Sequence, residues 1–278
     1  MHARTFTGGD APAAGREAVF ERVLVGIDST DESLVAAAQA GVVRAPWGSV
    51  VLLGAIERHL AAQAGLFAAR AEDGLAASAS TELDRARELV DAEDAVLVPG
   101  SLVQILRSQC ERRRATLIAV GVRPHRRLGA LTFGGHDVEA LHDLDCSVLI
   151  ARPGWGPAMP QRIVVGVNGS HELLTAERVG RALARRLGCD VVPVIGLAED
   201  VDLQLLRRER DDALVLPGSL VDGVVRASSP RSLVVVGRSR QVRGGRRWGG
   251  GLAERVVYAV KCSVLVLDDD VEAPSAEG

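Results

Sequence analysis

Two stretches of the chain combine glycine with arginine densely enough to hold an anion. The first runs from Gly121 to Gly135 and carries Arg123, Arg126 and Arg127. The second runs from Gly237 to Gly251 and carries Arg238, Arg240, Arg243, Arg246 and Arg247. Glycine lets a ligand approach the main chain closely, and the N–H groups opening a following helix attract negative charge. Guanidinium adds a donor fork that matches phosphate. Upstream of each stretch a short apolar run ends in a polar residue: Asp28 closes VLVGID and Asn168 closes IVVGVN. Open α/β sheets bind ligands at such carboxyl ends of strands. On spacing alone, the same loops also read as solvated connections.

Other chemistries are poorly supplied. Of 33 basic residues only Lys261 is lysine, and it sits in Val-Lys-Cys-Ser with no glycine before it. A Walker-type phosphate loop is therefore absent, and a Schiff base has one candidate. Eight aromatic residues are too few for a base-stacking platform, and a net charge of −3 argues against nucleic acid as a partner. No Gly-x-Ser-x-Gly or His-Glu-x-x-His motif occurs. His136 and His142 are predicted to flank a helix after the first loop. Their spacing does not suit a two-ligand metal site, so solvated or locally capped histidines are expected, with a phosphate contact by His136 as the alternative. The four cysteines (Cys110, Cys146, Cys189, Cys262) form no Cys-x-x-Cys pair. Cys146 and Cys262 open apolar runs and are expected to be buried thiols rather than redox groups. Trp47 and Trp155 are expected to pack locally, and Trp248 could plug the second loop. Residues 1–15 lack an apolar signal segment, and no run approaches the ~18 apolar residues of a membrane span, so a cytoplasmic protein with reduced thiols is expected.

The elements that must position these groups come twice. Pro-Gly-Ser-Leu-Val occurs at 99–103 and again at 217–221. VLVGID (23–28) answers IVVGVN (163–168), and Cys-Ser-Val-Leu-Ile (146–150) answers Cys-Ser-Val-Leu-Val (262–266). Four landmarks, counting the two Val-Gly runs ending at Gly121 and Gly237, recur in one order. Gly121 to Cys146 and Gly237 to Cys262 are both 25 residues, whereas Gly26 to Pro99 is 73 and Gly166 to Pro217 only 51. The chain is thus a tandem duplication whose second copy lacks about 22 residues, corresponding to an Ala-rich part near 59–91. Continuous apolar runs at 22–27, 49–56, 95–98, 116–120 and 146–151, and at 162–167, 190–195, 213–216, 232–236 and 262–267, read as strands buried on both faces. Helices are expected between them, the first over 34–43 with Ser29, Thr30 or Asp31 as cap, another over 101–113. The expected class is α/β, with two tandem doubly wound five-stranded parallel sheets. The predicted organisation is a flexible tail (1–17), a first domain (18–151), a Pro/Gly-rich linker (152–160), a second domain (161–268) and an acidic tail (269–278).

In these landmarks the sequence resembles a tandem universal stress protein, over roughly 20–151 and 161–268. The family's marks are a Val-Gly-Val-Asp-type first strand, a loop Gly-x2-Gly-x9-Gly-Ser/Thr after the fourth strand, and a Cys-Pro-Val-Leu-Val-like fifth strand. The resemblance implies a fold of the adenine-nucleotide alpha-hydrolase-like type. It also implies a regulatory role in the stress response, binding rather than turnover. In ATP-binding members the first-strand Asp holds the nucleoside and the loop holds the phosphates. Carried over residue by residue, Asp28 and Asn168 take the acidic position, and Gly121 and Gly237 the first loop glycine. The second loop glycine falls on Pro124 and Arg240, so it is missing from both copies. Gly134 and Gly250 match the third glycine, and Gly135 and Gly251 stand where the hydroxyl residue should be. Pro124 removes an N–H, whereas Arg240, like Arg123, could meet phosphate through its guanidinium. The cofactor expected is ATP, in the first domain rather than the second. The expected partners are the two domains of one chain as a pseudo-dimer, a second chain as a homodimer, and a regulatory protein. The alternatives are a nucleotide-free interaction module of the same fold and a weak nucleotide hydrolase using Asp28.

Overall fold

The Val-, Ile- and Leu-rich runs become ten strands of one sheet in a computed structural model of the chain. It describes residues 20–56, 67–124, 131–133, 136–137, 141, 144–156, 158–167, 171–197, 212–238 and 251–268. The first half contributes β1 (Arg22–Ile27), β2 (Ser49–Ile56), β3 (Asp94–Pro99), β4 (Leu117–Gly121) and β8 (Ser147–Ala151) to the sheet. Between β4 and β8 lie three short strands, β5 (Arg123–Pro124), β6 (Leu131–Phe133) and β7 (His136–Asp137), which pair as a small antiparallel sheet. The second half contributes β9 (Arg162–Gly166), β10 (Asp190–Leu197), β11 (Leu214–Pro217), β12 (Ser232–Gly237) and β13 (Ser263–Leu267). The order is β11-β10-β9-β12-β13-β8-β4-β1-β2-β3.

Within the ten-stranded sheet each half is parallel throughout, and its order mirrors that of the other. The one antiparallel pairing in the ten-stranded sheet joins β8 to β13, with Val264 opposite Ile150, Leu265 opposite Leu149 and Val266 opposite Val148. Counted from Cys146 and Cys262, Leu149 and Leu265 are equivalent residues, so a local two-fold runs through that pair. The two predicted five-stranded sheets thus join edge to edge into one ten-stranded sheet, and pairing the two apolar fifth strands removes edges that would otherwise expose unpaired N–H and C=O groups.

Helices cover both faces. On one lie α1 (Asp31–Val43), α2 (Ala68–Leu89) and α4 (His171–Leu187); on the other lie α3 (Leu102–Arg113), α5 (Leu220–Ala227) and α6 (Leu252–Ala259). Alternate strand residues serve the two cores: Val23, Val25 and Ile27 face α1, and Leu24 faces α3. Each buried Val, Leu or Ile contributes roughly 1.5–3 kcal/mol. An exposed ion pair such as Arg85–Glu82 contributes at most about 1 kcal/mol, so the two apolar layers hold the fold. The two copies differ in length between their second and third strands. Residues 57–93 join β2 to β3 in the first half, and only 198–213 join β10 to β11 in the second.

The Pro-Gly-Ser-Leu-Val repeat is a strand-to-helix turn. Pro99 and Pro217 end their strands, Gly100 and Gly218 take φ of +136° and +101°, and Ser101 and Ser219 are the N-caps of α3 and α5. Only glycine adopts such angles without strain. Ser219 completes a capping box: its hydroxyl accepts from the Asp222 N–H, and the Asp222 carboxylate accepts from the Ser219 N–H. Ser101, with Gln104 at the matching place, makes no side-chain cap bond. Ser219→Ala is expected to cost about 1 kcal/mol in urea unfolding at pH 7. Hydrogen bonds from Ser219 hold the Asp222 carboxyl below its ordinary value. Its contribution is therefore present at neutral pH and lost as the pH falls through that lowered value.

The predicted linker is packed. Arg152 and Trp155 are buried, and a Cβ on Gly154 would lie 2.0 Å from the Pro230 carbonyl oxygen. Gln39 of α1 donates to the carbonyls of Arg152 and Trp155 and accepts from the Ser263 hydroxyl. Arg186 of α4 reaches across to the carbonyls of Val42 and Val43 at the end of α1.

Candidate functional site

In the first half the order of strands reverses between β1 and β4, and α1 and α3 leave on opposite faces. This is the switch point where an open α/β sheet leaves a crevice. Gly26 pairs with Val120, so the end of β1 at Asp28 lies beside the end of β4 at Gly121. The sequence-predicted residues Asp28, Gly121 and Arg123 are thus brought to one end of the sheet.

Asp28 is half-buried and shapes the turn into α1. Its Oδ1 accepts from the Thr30 N–H at 3.0 Å and from the Thr30 hydroxyl. The Ser33 hydroxyl donates to the carbonyls of Asp28 (3.1 Å) and Thr30 (2.8 Å). The helix therefore begins at Asp31, three residues before the predicted start. Thr30 is the N-cap but makes no side-chain cap bond, because its hydroxyl turns back to Asp28. Asp31 and Glu32 occupy the first turn of α1 and already complement its dipole. An anion at this end would have to be met by Arg123 and main-chain N–H groups.

Gly121 has a second reason to be glycine, one that spacing alone did not show. A Cβ there would lie 1.9 Å from the Glu32 carbonyl oxygen and 2.5 Å from the Ser33 nitrogen. The first turn of α1 rests directly on the end of β4, and only the absence of a side chain permits it. Arg123 is exposed and pairs with Thr132, while Pro124 pairs with Leu131. Of the glycine-bearing stretch, the described residues belong to a small antiparallel sheet in which Pro124, which cannot donate, sits on the edge strand β5. His136, expected beside a helix, instead sits in β7 opposite Phe133. Gly134, Gly135, Arg126, Arg127 and His142 lie outside the described residues.

In the second half Gly237 ends β12 and Gly251 is the N-cap of α6, the helix expected after the loop. Glu254 already stands in the first turn of α6. Arg238, read from the sequence as a loop arginine facing an anion, is buried. Its guanidinium donates to the carbonyls of Leu144 (2.6 Å) and Cys146 (2.8 Å) in the first half and lies 3.4 Å from Asp268. It is spent on joining the halves. Asn168, Arg240, Gly250 and Trp248 lie outside the described residues. Among the described residues no cluster of His, Cys, Asp and Glu could hold a metal, and no helix is long and apolar enough to cross a membrane.

Residues 20–152, a little under half of the chain, match the model of the universal stress protein family. No curated protein matches. Among solved structures, a universal stress protein from Archaeoglobus fulgidus is 13% identical, with 90% of this chain and 98% of that chain covered at a TM-score of 0.59. A putative universal stress protein from Pseudomonas aeruginosa is 18% identical, covering 91% of this chain and 95% of its own at 0.60. A functionally unknown protein from Pseudomonas aeruginosa, also 18% identical, covers 91% and 94% at 0.61. At these identities the likenesses show the fold, and they run through both halves.

Proposed function

We propose that the whole chain, beyond residues 20–152, is a tandem universal stress protein: two copies of one unit paired within one molecule. It acts in the cytoplasm as a regulatory binding module of the stress response rather than as a turnover enzyme. The first half takes adenine nucleotide, ATP foremost, at the crevice between β1 and β4. The tandem reading is supported by the mirrored strand orders and by Leu149 meeting its equivalent Leu265.

One observation carries the nucleotide reading. A half-buried carboxylate, Asp28, stands at the carboxyl end of β1 at the switch point, with the exposed Arg123 two residues beyond the end of the neighbouring β4. A carboxylate there can accept from ribose hydroxyls, and a guanidinium can meet phosphate. A second reading, in which the crevice is closed and only protein contacts remain, is favoured by α1 resting on Gly121 and by the β5–β7 sheet. Isothermal titration separates them. Binding of ATP by the full chain, weakened at least tenfold in Asp28→Ala with α1 still formed by far-UV circular dichroism, is the expected result. No heat at millimolar ATP leaves the interaction module.

A further inference from the structure

Cys110, near the end of α3, and Cys146, just before β8, are 36 residues apart in the chain, yet their Sγ atoms are 3.2 Å apart. Both are buried. The sulfurs of a disulfide are about 2.05 Å apart, so about 1.1 Å of closure would join them. The pair is not sealed. Cys110 lines a cavity of about 430 Å³ at the amino ends of β1 and β4, away from the candidate crevice. Arg22, Arg107 and Arg114 share its wall with Glu111 and Asp145, and all five are exposed, so the cavity is open to solvent.

We propose that Cys110 and Cys146 form a redox-responsive dithiol that hydroperoxide converts to a reversible disulfide, with Cys110 the attacking sulfur. Cys110 meets the cavity, and Cys146 stands behind it as the resolving thiol. The Cys110 thiolate attacks one peroxide oxygen; the S–O bond forms, the O–O bond breaks, and the departing oxygen leaves as water after taking up a proton. The resulting sulfenic acid is attacked by Cys146. The S–S bond forms, the S–O bond breaks, and the Cys146 proton leaves with that oxygen as a second water. Two thiols lose two electrons and one peroxide gains them.

The electrostatics give the two sulfurs different roles. The hydrogen bond with Cys146 holds the Cys110 thiol below its usual value, outweighing burial and the carboxylates of Asp145, Glu111 and Asp268. The same bond, then burial, pushes the Cys146 thiol up, against the Arg238 guanidinium. One thiolate shared between two sulfurs is the reactive form of a dithiol. The second half holds a natural comparison. Cys262, equivalent to Cys146, lies by Ser228, the residue equivalent to Cys110; burial pushes its thiol up, against the Ser228 hydroxyl. Equivalent positions thus carry Cys with Cys in one copy and Ser with Cys in the other.

The test exposes the folded, reduced full chain to hydrogen peroxide, quenches it, and alkylates it after denaturation. Four alkylatable thiols should fall to two, with a mass loss of about 2 Da and a peptide cross-linked between Cys110 and Cys146, all reversed by dithiothreitol. Cys110→Ser, which copies the residue of the second half, should abolish the cross-link while Cys146 stays alkylatable. Ser228→Cys should create a second cross-link, to Cys262. Cys110 and Cys146 remaining as thiols, oxidising to sulfinic acids without cross-linking, or cross-linking only in urea would each overturn the proposal.

Discussion

Arg152→Ala is expected to lower stability by about 3 kcal/mol and the thermal midpoint by roughly 6–12 °C, as one transition of the whole chain. Arg152 follows β8 of the first half, and its guanidinium is buried. Nη1 donates to the Cys262 carbonyl and Nη2 to the Val257 carbonyl, both at 2.7 Å. Val257 lies in the last turn of α6, where carbonyls lack partners within the helix. Removing the side chain leaves two carbonyls dry and unbonded and a void beside them, and each such group costs about 1–3 kcal/mol. Burial lowers the Arg152 value, yet a guanidinium stays charged at pH 7. Arg152→Lys should recover little, because a single ammonium lacks the planar fork that reaches both carbonyls. Arg112→Ala, on the exposed side of α3, should change stability by less than about 0.5 kcal/mol. Differential scanning calorimetry of the three variants checks this. A wild-type midpoint for Arg152→Ala would show that the halves do not depend on this contact.

The second large effect comes from one substitution made at two glycines. Gly121→Ala should destabilise by at least about 3 kcal/mol. Its methyl would overlap the Glu32 carbonyl, a main-chain atom that moves only if α1 lifts from the sheet. Lifting α1 also strips Leu34, Ala37 and Val43 from the core on that face. Gly74→Ala, within α2, should instead stabilise by about 0.5–1 kcal/mol. A Cβ there meets nothing within 4 Å, and alanine loses less backbone freedom in a helix. Opposite signs in urea midpoints are the expected outcome. Equal and small effects would mean that α1 does not rest on β4.

Much of the fold was legible because its signals are local. Apolar runs of four to eight residues marked every strand of the main sheet to within about two residues, and the Pro-Gly-Ser turn flagged two strand-to-helix junctions through glycines at positive φ. The repeat showed in the sequence because those turns recur. What stayed hidden depends on which groups meet in space. The chain spacing of Arg152 and Arg238 gives no sign that each guanidinium reaches carbonyls of the other half. Gly121 looked like a loop glycine because the approach of Glu32 is a tertiary fact. Cys110 and Cys146 looked scattered because 36 residues and four strands, β4 to β7, separate them. Of the candidate residues, Asp28 and Gly121 lie at adjoining strand ends, and the apolar runs that precede them showed those ends in the sequence. The β5–β7 sheet was not found, since its strands of two or three residues are too short to show a period.

The proposed nucleotide site is tested most directly by counting. Native mass spectrometry of the purified full chain with ATP should show one adenine nucleotide per chain, and none in Asp28→Ala. No bound nucleotide would contradict the site in the first half. Two per chain would contradict its confinement to the half that carries the acidic residue, since the second half has Asn168 in its place.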